Sequence, residues 1–330
     1  MVRWGILGPG AIARQFAEGL KSAADARLIA VGSRDKAKAV EFGGKYEVPH
    51  CHGSYQALVE DPEVDAIYVA TPHPFHKEHC LLALNAGKPV LCEKPFTINA
   101  REAEEVVRVA REKQVFLMEG MWSRFFPLMT RLRELLAAGE IGRVRMVEAD
   151  FGFRAGFDPK SRLFDPQLGG GALLDVGVYV VSFASMILGT PDRMTGLATL
   201  GATHIDEQAA MVLGYPNGSL ALLSTAIRTN SPHNATILGE EGRVVLKAPF
   251  WKPEHMTISR NGKPDEEIQL PFVGSGFNYE AEEVGRCLAA GKLESDILPL
   301  DETLAIMRTL DTLRAQWGVV YPTERSLRTD

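Results

Sequence analysis

Four short runs along the chain carry residue types that could do chemistry. Gly8-Pro9-Gly10-Ala11-Ile12-Ala13 has the spacing G-x-G-x-x-A. Where a strand passes into a helix, such glycines allow a tight turn and close approach of a pyrophosphate. The helix N-terminus supplies unpaired N–H groups. About twenty residues on, where a second strand should end, stands Ser33-Arg34-Asp35. An NAD site usually places a carboxylate at that strand end. A hydroxyl and a guanidinium suit a 2′-phosphate instead, because arginine grips phosphate with a planar fork. Asp35 could simply cap the next helix, and Arg34 could be a solvated surface arginine. The candidate dinucleotide contacts are Gly8, Gly10, Ala11, Ile12, Ser33 and Arg34, and NADP is expected over NAD.

Two further runs follow apolar strands: Thr71-Pro72-His73-Pro74-Phe75-His76 and Glu93-Lys94-Pro95. Ligands of open α/β sheets bind beyond the carboxyl ends of the strands. Thr71, Pro72, His73, His76, Glu93 and Lys94 therefore join the cofactor candidates. Lys94 is pinned by Pro95, which cannot extend a ladder. Its amine could point into the cleft or pair with Glu93 at the rim. His76 opens a helix and could cap or pack rather than move protons. The last run, from Gly169-Gly170-Gly171 to Tyr179, puts Asp175 and Tyr179 on one face of a nearly all-apolar helix. A carboxylate there needs partners or a role, and backbone N–H groups could satisfy it. Trp122, Phe151, Trp251 and Phe277 could wall a sugar-like substrate, with Arg124 and Arg154 meeting its hydroxyls. For each ring, ordinary core packing is the competing role.

These runs need elements to hold them. Apolar strand-like segments alternate with helical ones up to about residue 121: Val2–Leu7, Arg27–Val31, Asp65–Ala70, Pro89–Cys92 and Val115–Met118, with helices over Ile12–Leu20, Asp35–Tyr46, Pro74–Ala86 and Asn99–Lys113. That alternation predicts a parallel sheet with right-handed crossovers, covered on both faces. Beyond it come a helix at Pro127–Ala138, a long strand at Val144–Phe153, the apolar helix Ala172–Leu188 and a series of strands. Pro216-Asn217-Gly218 and Asn261-Gly262 are hairpin turns between strands of that series. Two helices close the chain. The expected architecture is α/β plus α+β. Residues 1–121 form a Rossmann domain, and 122–330 form a substrate-binding and oligomerisation domain on an open, largely antiparallel sheet.

The chain has 330 residues, enough for two cores, with 45% hydrophobic and 24% charged residues. Its net charge of −6 argues against a general nucleic-acid binder. No apolar stretch reaches the ~18 residues of a spanning helix, and the first residues lack a secretory layout. Four cysteines without a C-x-x-C pair suggest neither a disulfide framework nor a zinc site, and no H-E-x-x-H occurs. No metal, no nucleic acid and no membrane are expected, and the expected location is the cytoplasm.

Taken together, the motifs resemble the Gfo/Idh/MocA family of oxidoreductases. The resemblance rests on G-x-G-x-x-A, Thr71-Pro72 with His76, Glu93-Lys94-Pro95, and Gly-Gly-Gly-Ala-Leu-Leu-Asp-x-Gly, and it covers essentially the whole chain. Many members carry a histidine two residues after that last glycine, whereas this chain has Tyr179. With the segment Met118–Pro127, this is similar to the branch holding dimeric dihydrodiol dehydrogenase and NADP-dependent D-xylose 1-dehydrogenase. The resemblance implies that Lys94 and Tyr179 are the catalytic pair, with Asp175 orienting Lys94 or a substrate hydroxyl. It also implies a homodimer or dimer of dimers, built on the second-domain sheet. The implied reaction is hydride transfer between the nicotinamide and a carbinol or carbonyl carbon of a cyclic sugar, polyol or dihydrodiol. A lysine cation close to a phenol favours its ionised form, which would suit Tyr179 to general base work. Lys94 could instead carry the proton, with Tyr179 as a hydrogen-bond donor. A keto-sugar reductase of the anhydrofructose type and a non-catalytic NAD(P) sensor are the competing functions.

Overall fold

The computed structural model describes residues 1–325. By internal contacts the chain forms two compact units, and they do not follow chain order. One comprises Met1–Phe125 with Val273–Leu304, and the other Phe126–Phe272 with the chain from Ala305 onward. The sequence division had assigned everything after residue 121 to one domain. The segment Val273–Leu304 instead belongs with the N-terminal unit. Within it, helix α8 (Phe277–Ala289) packs on α1 (Ala11–Leu20), where Gly19 has room for no side chain: a Cβ there would lie 2.7 Å from that of Phe277.

The first unit holds a six-stranded parallel sheet. Its strands are β1 (Val2–Leu7), β2 (Ala26–Gly32), β3 (His50–His52), β4 (Ala66–Val69), β5 (Val90–Glu93) and β6 (Leu117–Gly120), in the order β3-β2-β1-β4-β5-β6. This is the doubly wound order, with the strand sequence reversing beside β1. β4, β5 and β6 are buried along their whole length, as expected of strands covered on both faces. Trp4, Phe16 and Tyr68 form the aromatic centre of this core, Phe16 stacking on Tyr68 at 3.8 Å between ring centroids. The helices start where short polar side chains can cap them. Asp35 accepts from Ala37 N–H at the head of α2 (Lys36–Tyr46), and Asn99 accepts from Glu102 N–H at the head of α5 (Ala100–Lys113). The short strand β3 and helix α3 (Tyr55–Val59) went unread in the sequence. Each is too short to show a period.

The second unit is built on eight strands in the order β14-β13-β12-β11-β7-β10-β9-β8. They are β7 (Val144–Gly152), β8 (Arg193–Leu200), β9 (Asp206–Gly214), β10 (Leu220–Ala226), β11 (Ala235–Gly239), β12 (Gly242–Leu246), β13 (His255–Arg260) and β14 (Glu266–Gln269). Every pairing is antiparallel except β7 with β10. The two expected hairpin turns join β9 to β10 and β13 to β14.

Helix α7 (Val178–Leu188) lies against β7 and β10. The helical stretch Pro166–Leu188 spans 23 residues and is long and apolar enough to cross a membrane, which corrects the sequence-level count; 78% of its most apolar window is buried inside the protein, so it serves as a core helix. On the outward face of β8, β9 and β10, alternation leaves Leu197, Val212, Leu220 and Leu222 exposed, Leu197 at 83%.

Candidate active site

Within the first unit, the strand ends frame a cleft of about 340 Å³. Gly8, Gly10, Ser33, Arg34, Thr71 and Pro72 line it, together with Lys38 and Tyr55. β1 ends at Leu7, and Gly8 takes φ +97°, a left-handed conformation that favours glycine. A Cβ at Gly8 would meet Thr71 Cγ2 at 2.9 Å and close the cradle. Gly10 precedes α1 and offers no side-chain cap, so Ala11 and Ile12 open the helix without one. That is the backbone arrangement a pyrophosphate needs. Ser33 is buried and its Oγ accepts from Asp35 N–H, while the Arg34 side chain is exposed with its guanidinium over the Phe75 ring. Asp35 lines the cleft beside them, one carboxylate oxygen accepting from Ala37 N–H as the α2 cap. Lys38 and Tyr55 were missed, since each sits in a helix and neither belongs to a strand-end motif.

Lys94 follows β5 and is half-buried. Glu93 is buried beneath it, accepting from the Tyr68 hydroxyl and from Lys94 N–H. Glu93 thus supports the strand end. His76 also links backbone segments. It is fully buried, its Nε2 lies 2.6 Å from Thr71 O and its Nδ1 3.0 Å from Pro95 O. The ring therefore ties the Thr71 loop to the loop after Lys94, and burial pushes its pKa down. Half-buried His73 lies beside it, the ring centroids 5.8 Å apart. Arg124 was assigned to substrate, yet it is buried and ion-paired to Glu302 at 2.7 Å. Its guanidinium is already committed. Phe277 is buried as well and stacks on half-buried Trp122, 4.6 Å between centroids.

The second unit holds the Gly169–Tyr179 run. Leu173–Gly177 is wound as one π-helical turn leading into α7, and such turns recur at functional sites. The glycine run before it is held by close packing. A Cβ at Gly170 would lie 2.7 Å from Leu163 O, and one at Gly171 2.5 Å from Asp206 Oδ1. Asp206 Oδ2 accepts from Leu173 N–H at 2.6 Å, and the Tyr321 hydroxyl donates to Gly170 O at 2.7 Å. Buried Asp175 is paired with Arg162, Nη1 to Oδ1 at 2.6 Å. Asp175 thus has an ion pair with Arg162, a residue that carried no sequence signal.

Tyr179 is nearly buried, with 7% of its surface exposed. Around its ring stand Phe151 at 5.4 Å and Trp251 at 6.5 Å, which themselves stack almost parallel. His233 closes the group edge-on to both Phe151 and Trp251. Phe151 and Trp251 were expected near the substrate; His233 was not, since it lies in a connection with no motif. Arg154 is exposed, and its backbone N–H donates to Asn230 Oδ1.

Known proteins match the chain over most of its length. Residues 2–121 match the model of the oxidoreductase family with an NAD-binding Rossmann fold, and residues 129–245 match the GFO/IDH/MocA C-terminal domain. The chain belongs to the Gfo/Idh/MocA family. It is an NAD(P)-dependent oxidoreductase. It is similar to trans-1,2-dihydrobenzene-1,2-diol dehydrogenase of Mus musculus, 38% identical over 98% of this chain and 99% of that one, and to its Homo sapiens counterpart at 36% over the same shares. Among solved structures it resembles a 3-ketoreductase from Actinomadura kijaniata bound to NADP and TDP-benzene, at TM-score 0.84 and 27% identity over 95% of this chain and 97% of that one. It also resembles an aldose-aldose oxidoreductase from Caulobacter crescentus complexed with glycerol, at TM-score 0.88 and 25% identity over 97% of this chain and 99% of that one.

Proposed function

We propose that this family member is an NADP-dependent dehydrogenase of cyclic diols, polyols or sugars. The observation that carries the reading is the full-length likeness to dihydrodiol dehydrogenase. The aromatic seat of Tyr179 supports it, because a cyclic substrate presents an apolar face to rings and hydroxyls to polar groups. Gly8, Gly10, Ser33 and Arg34 would hold the dinucleotide, which would supply hydride transfer when bound. Tyr179 takes the hydroxyl proton at its Oη during oxidation and gives it back during reduction. Lys94 is assigned the supporting cationic role in that proton step. Asp175, fixed by Arg162, orients polar groups beside Tyr179. Structures of the Actinomadura enzyme include a lysine-to-alanine and a tyrosine-to-phenylalanine form, the residue types assigned here to Lys94 and Tyr179. The ketoreductase likeness favours, as a second reading, physiological work in the reducing direction. Absorbance at the reduced-nicotinamide band, across dihydrodiols, pentoses and hexoses with each cofactor, tests both. Turnover of a cyclic diol or sugar with NADP is expected, and none with either cofactor would defeat the assignment.

NADP preference rests on Ser33 and exposed Arg34 lining the cleft beside Asp35, one oxygen of which caps α2. Arg34→Ala should weaken NADP by about 10- to 100-fold, the worth of one charged phosphate contact, and leave NAD nearly unchanged. Equal losses for the two cofactors in parallel titrations would defeat the preference.

The enzyme is also proposed to be a homodimer joined through the outward face of β8–β10. Exposed Leu197, Val212, Leu220 and Leu222 form an apolar face of the kind that marks an interface. Beside them a depression of about 560 Å³ is lined by Thr199, Gln208, Ala210 and Ser224. Light scattering at micromolar concentration should give twice the chain mass, and Leu197→Lys with Leu222→Lys should halve it. A wild-type monomer would contradict this arrangement. A reducing cytoplasmic location is supported by four free cysteines, Cys51, Cys80, Cys92 and Cys287.

A further inference from the structure

Linear spacing showed no metal motif, yet the fold assembles a ligand set away from the cofactor cleft. We propose that His50, His52 and Asp61 bind a divalent transition-metal ion of the zinc class. His50 and His52 stand two apart on edge strand β3, so both rings leave the same face. Asp61 lies just beyond α3. Its Oδ2 is 2.7 Å from His50 Nδ1 and 2.9 Å from His52 Nε2. All three ligand atoms lie within 4.8 Å of one another. Imidazole nitrogen and carboxylate oxygen are the donors such ions take, at about 2.0–2.2 Å. Donors at that range, set at octahedral to tetrahedral angles, lie roughly 2.9–3.4 Å apart. The two separations from Asp61, 2.7 and 2.9 Å, sit at or just below that range, and the two ring nitrogens lie within 4.8 Å of each other.

The surroundings are those of a ligand set rather than of chance neighbours. Asp61 is nearly buried, and its other oxygen, Oδ1, accepts from Glu63 N–H at 2.9 Å. Lys88 Nζ donates to Asp61 O at 2.8 Å and to Val64 O at 2.6 Å, which fixes the loop. The second ring nitrogen of His50 faces Glu63 Oε2 at 3.9 Å. An outer carboxylate behind a ligating imidazole is a recurrent device for setting its tautomer and basicity. Both histidines are half-buried, so water can reach the ion and complete its shell. Cys51 points away from them, its Sγ toward Val48 O, and is not a ligand. The site is joined to the cofactor cleft by one backbone contact, Ser33 N–H to His52 O at 3.2 Å.

The test uses the whole enzyme, dialysed against chelator and titrated with Zn²⁺ by calorimetry at neutral pH. One equivalent per chain is expected, with a thermal midpoint that rises on saturation. Co²⁺ should give a visible spectrum of nitrogen and oxygen ligands, without a sulfur charge-transfer band. His50→Gln and His52→Gln should each lower Zn²⁺ affinity by at least about tenfold, and Glu63→Gln by less. Glutamine can still donate to Asp61, so these variants should keep the chelated protein's melting point. Cys51→Ser should bind normally. No saturable uptake at submillimolar Zn²⁺ would overturn the proposal and leave a plain hydrogen-bonded triad. So would binding that survives both histidine substitutions, or that is lost only with Cys51.

Discussion

Tyr179→Phe should lower kcat by about 10²–10⁴-fold, the usual worth of a general acid–base group. The substitution removes one hydroxyl from a ring whose contacts with Phe151 and Trp251 are apolar. Folding and NADP binding should therefore be unchanged, with the loss confined to the chemical step. Lys94→Ala should collapse turnover as well. The decisive quantity is the double variant. Residues that act as one unit are strongly non-additive, so its loss should be close to that of the worse single variant. Steady-state kinetics with the best cyclic substrate, with NADP affinity measured separately, gives all four corners of the cycle. Near-normal turnover in Tyr179→Phe would remove the tyrosine from the mechanism. Multiplying losses would mean that Lys94 and Tyr179 serve separate steps.

What could be read ahead of the structure follows from how far each signal reaches along the chain. The Rossmann order was legible because strand and helix alternate with strong apolar runs, and because Gly8 and Gly10 sit where one becomes the other. The phosphate-binding turn needs only local backbone, so a local motif suffices. The hairpins at Asn217-Gly218 and Asn261-Gly262 were legible for the same reason. Side-chain partners were not. Arg124 reads as a polar group free for substrate, but it meets Glu302, 178 residues away, in the folded unit. Asp175 finds Arg162 only because the Gly169–Gly171 turn folds that segment back. His76 occupies a position suited to a ligand, and its ring lies against three backbone carbonyls, those of Thr71, Pro95 and Phe96. His233 joins the Tyr179 cluster from a connection with no periodicity at all. Asp61, His50 and His52 are close in sequence, yet β3 is too short to announce that two of them share a face.

Glu119 sits at the end of β6, fully buried, and its behaviour sets the second large expectation. Its Oε2 accepts from the Thr303 hydroxyl at 3.0 Å, and the carboxyl also accepts from the Phe96 N–H. Burial pushes its pKa up to about 7, against the lowering effects of the Thr303 bond and the Arg124 charge. The folded protein thus prefers the protonated carboxyl, whereas the unfolded chain loses that proton near the ordinary value of about 4.3. Stability from this preference is fully present below the unfolded pKa and is lost as pH rises through about 7. Over that window the cost approaches about 3 kcal/mol, since each pKa unit is worth about 1.4 kcal/mol. Asp206, also raised by burial to about 7, adds a loss of the same sign. Glu119→Gln keeps the shape and an acceptor for Thr303 but cannot ionise. Its unfolding free energy relative to the parent should rise by up to about 3 kcal/mol between pH 5 and pH 8. Urea unfolding at several pH values measures that difference directly. A constant offset between the two proteins across the range would show that Glu119 does not change its proton on unfolding, and that the buried carboxyl is held ionised by Arg124.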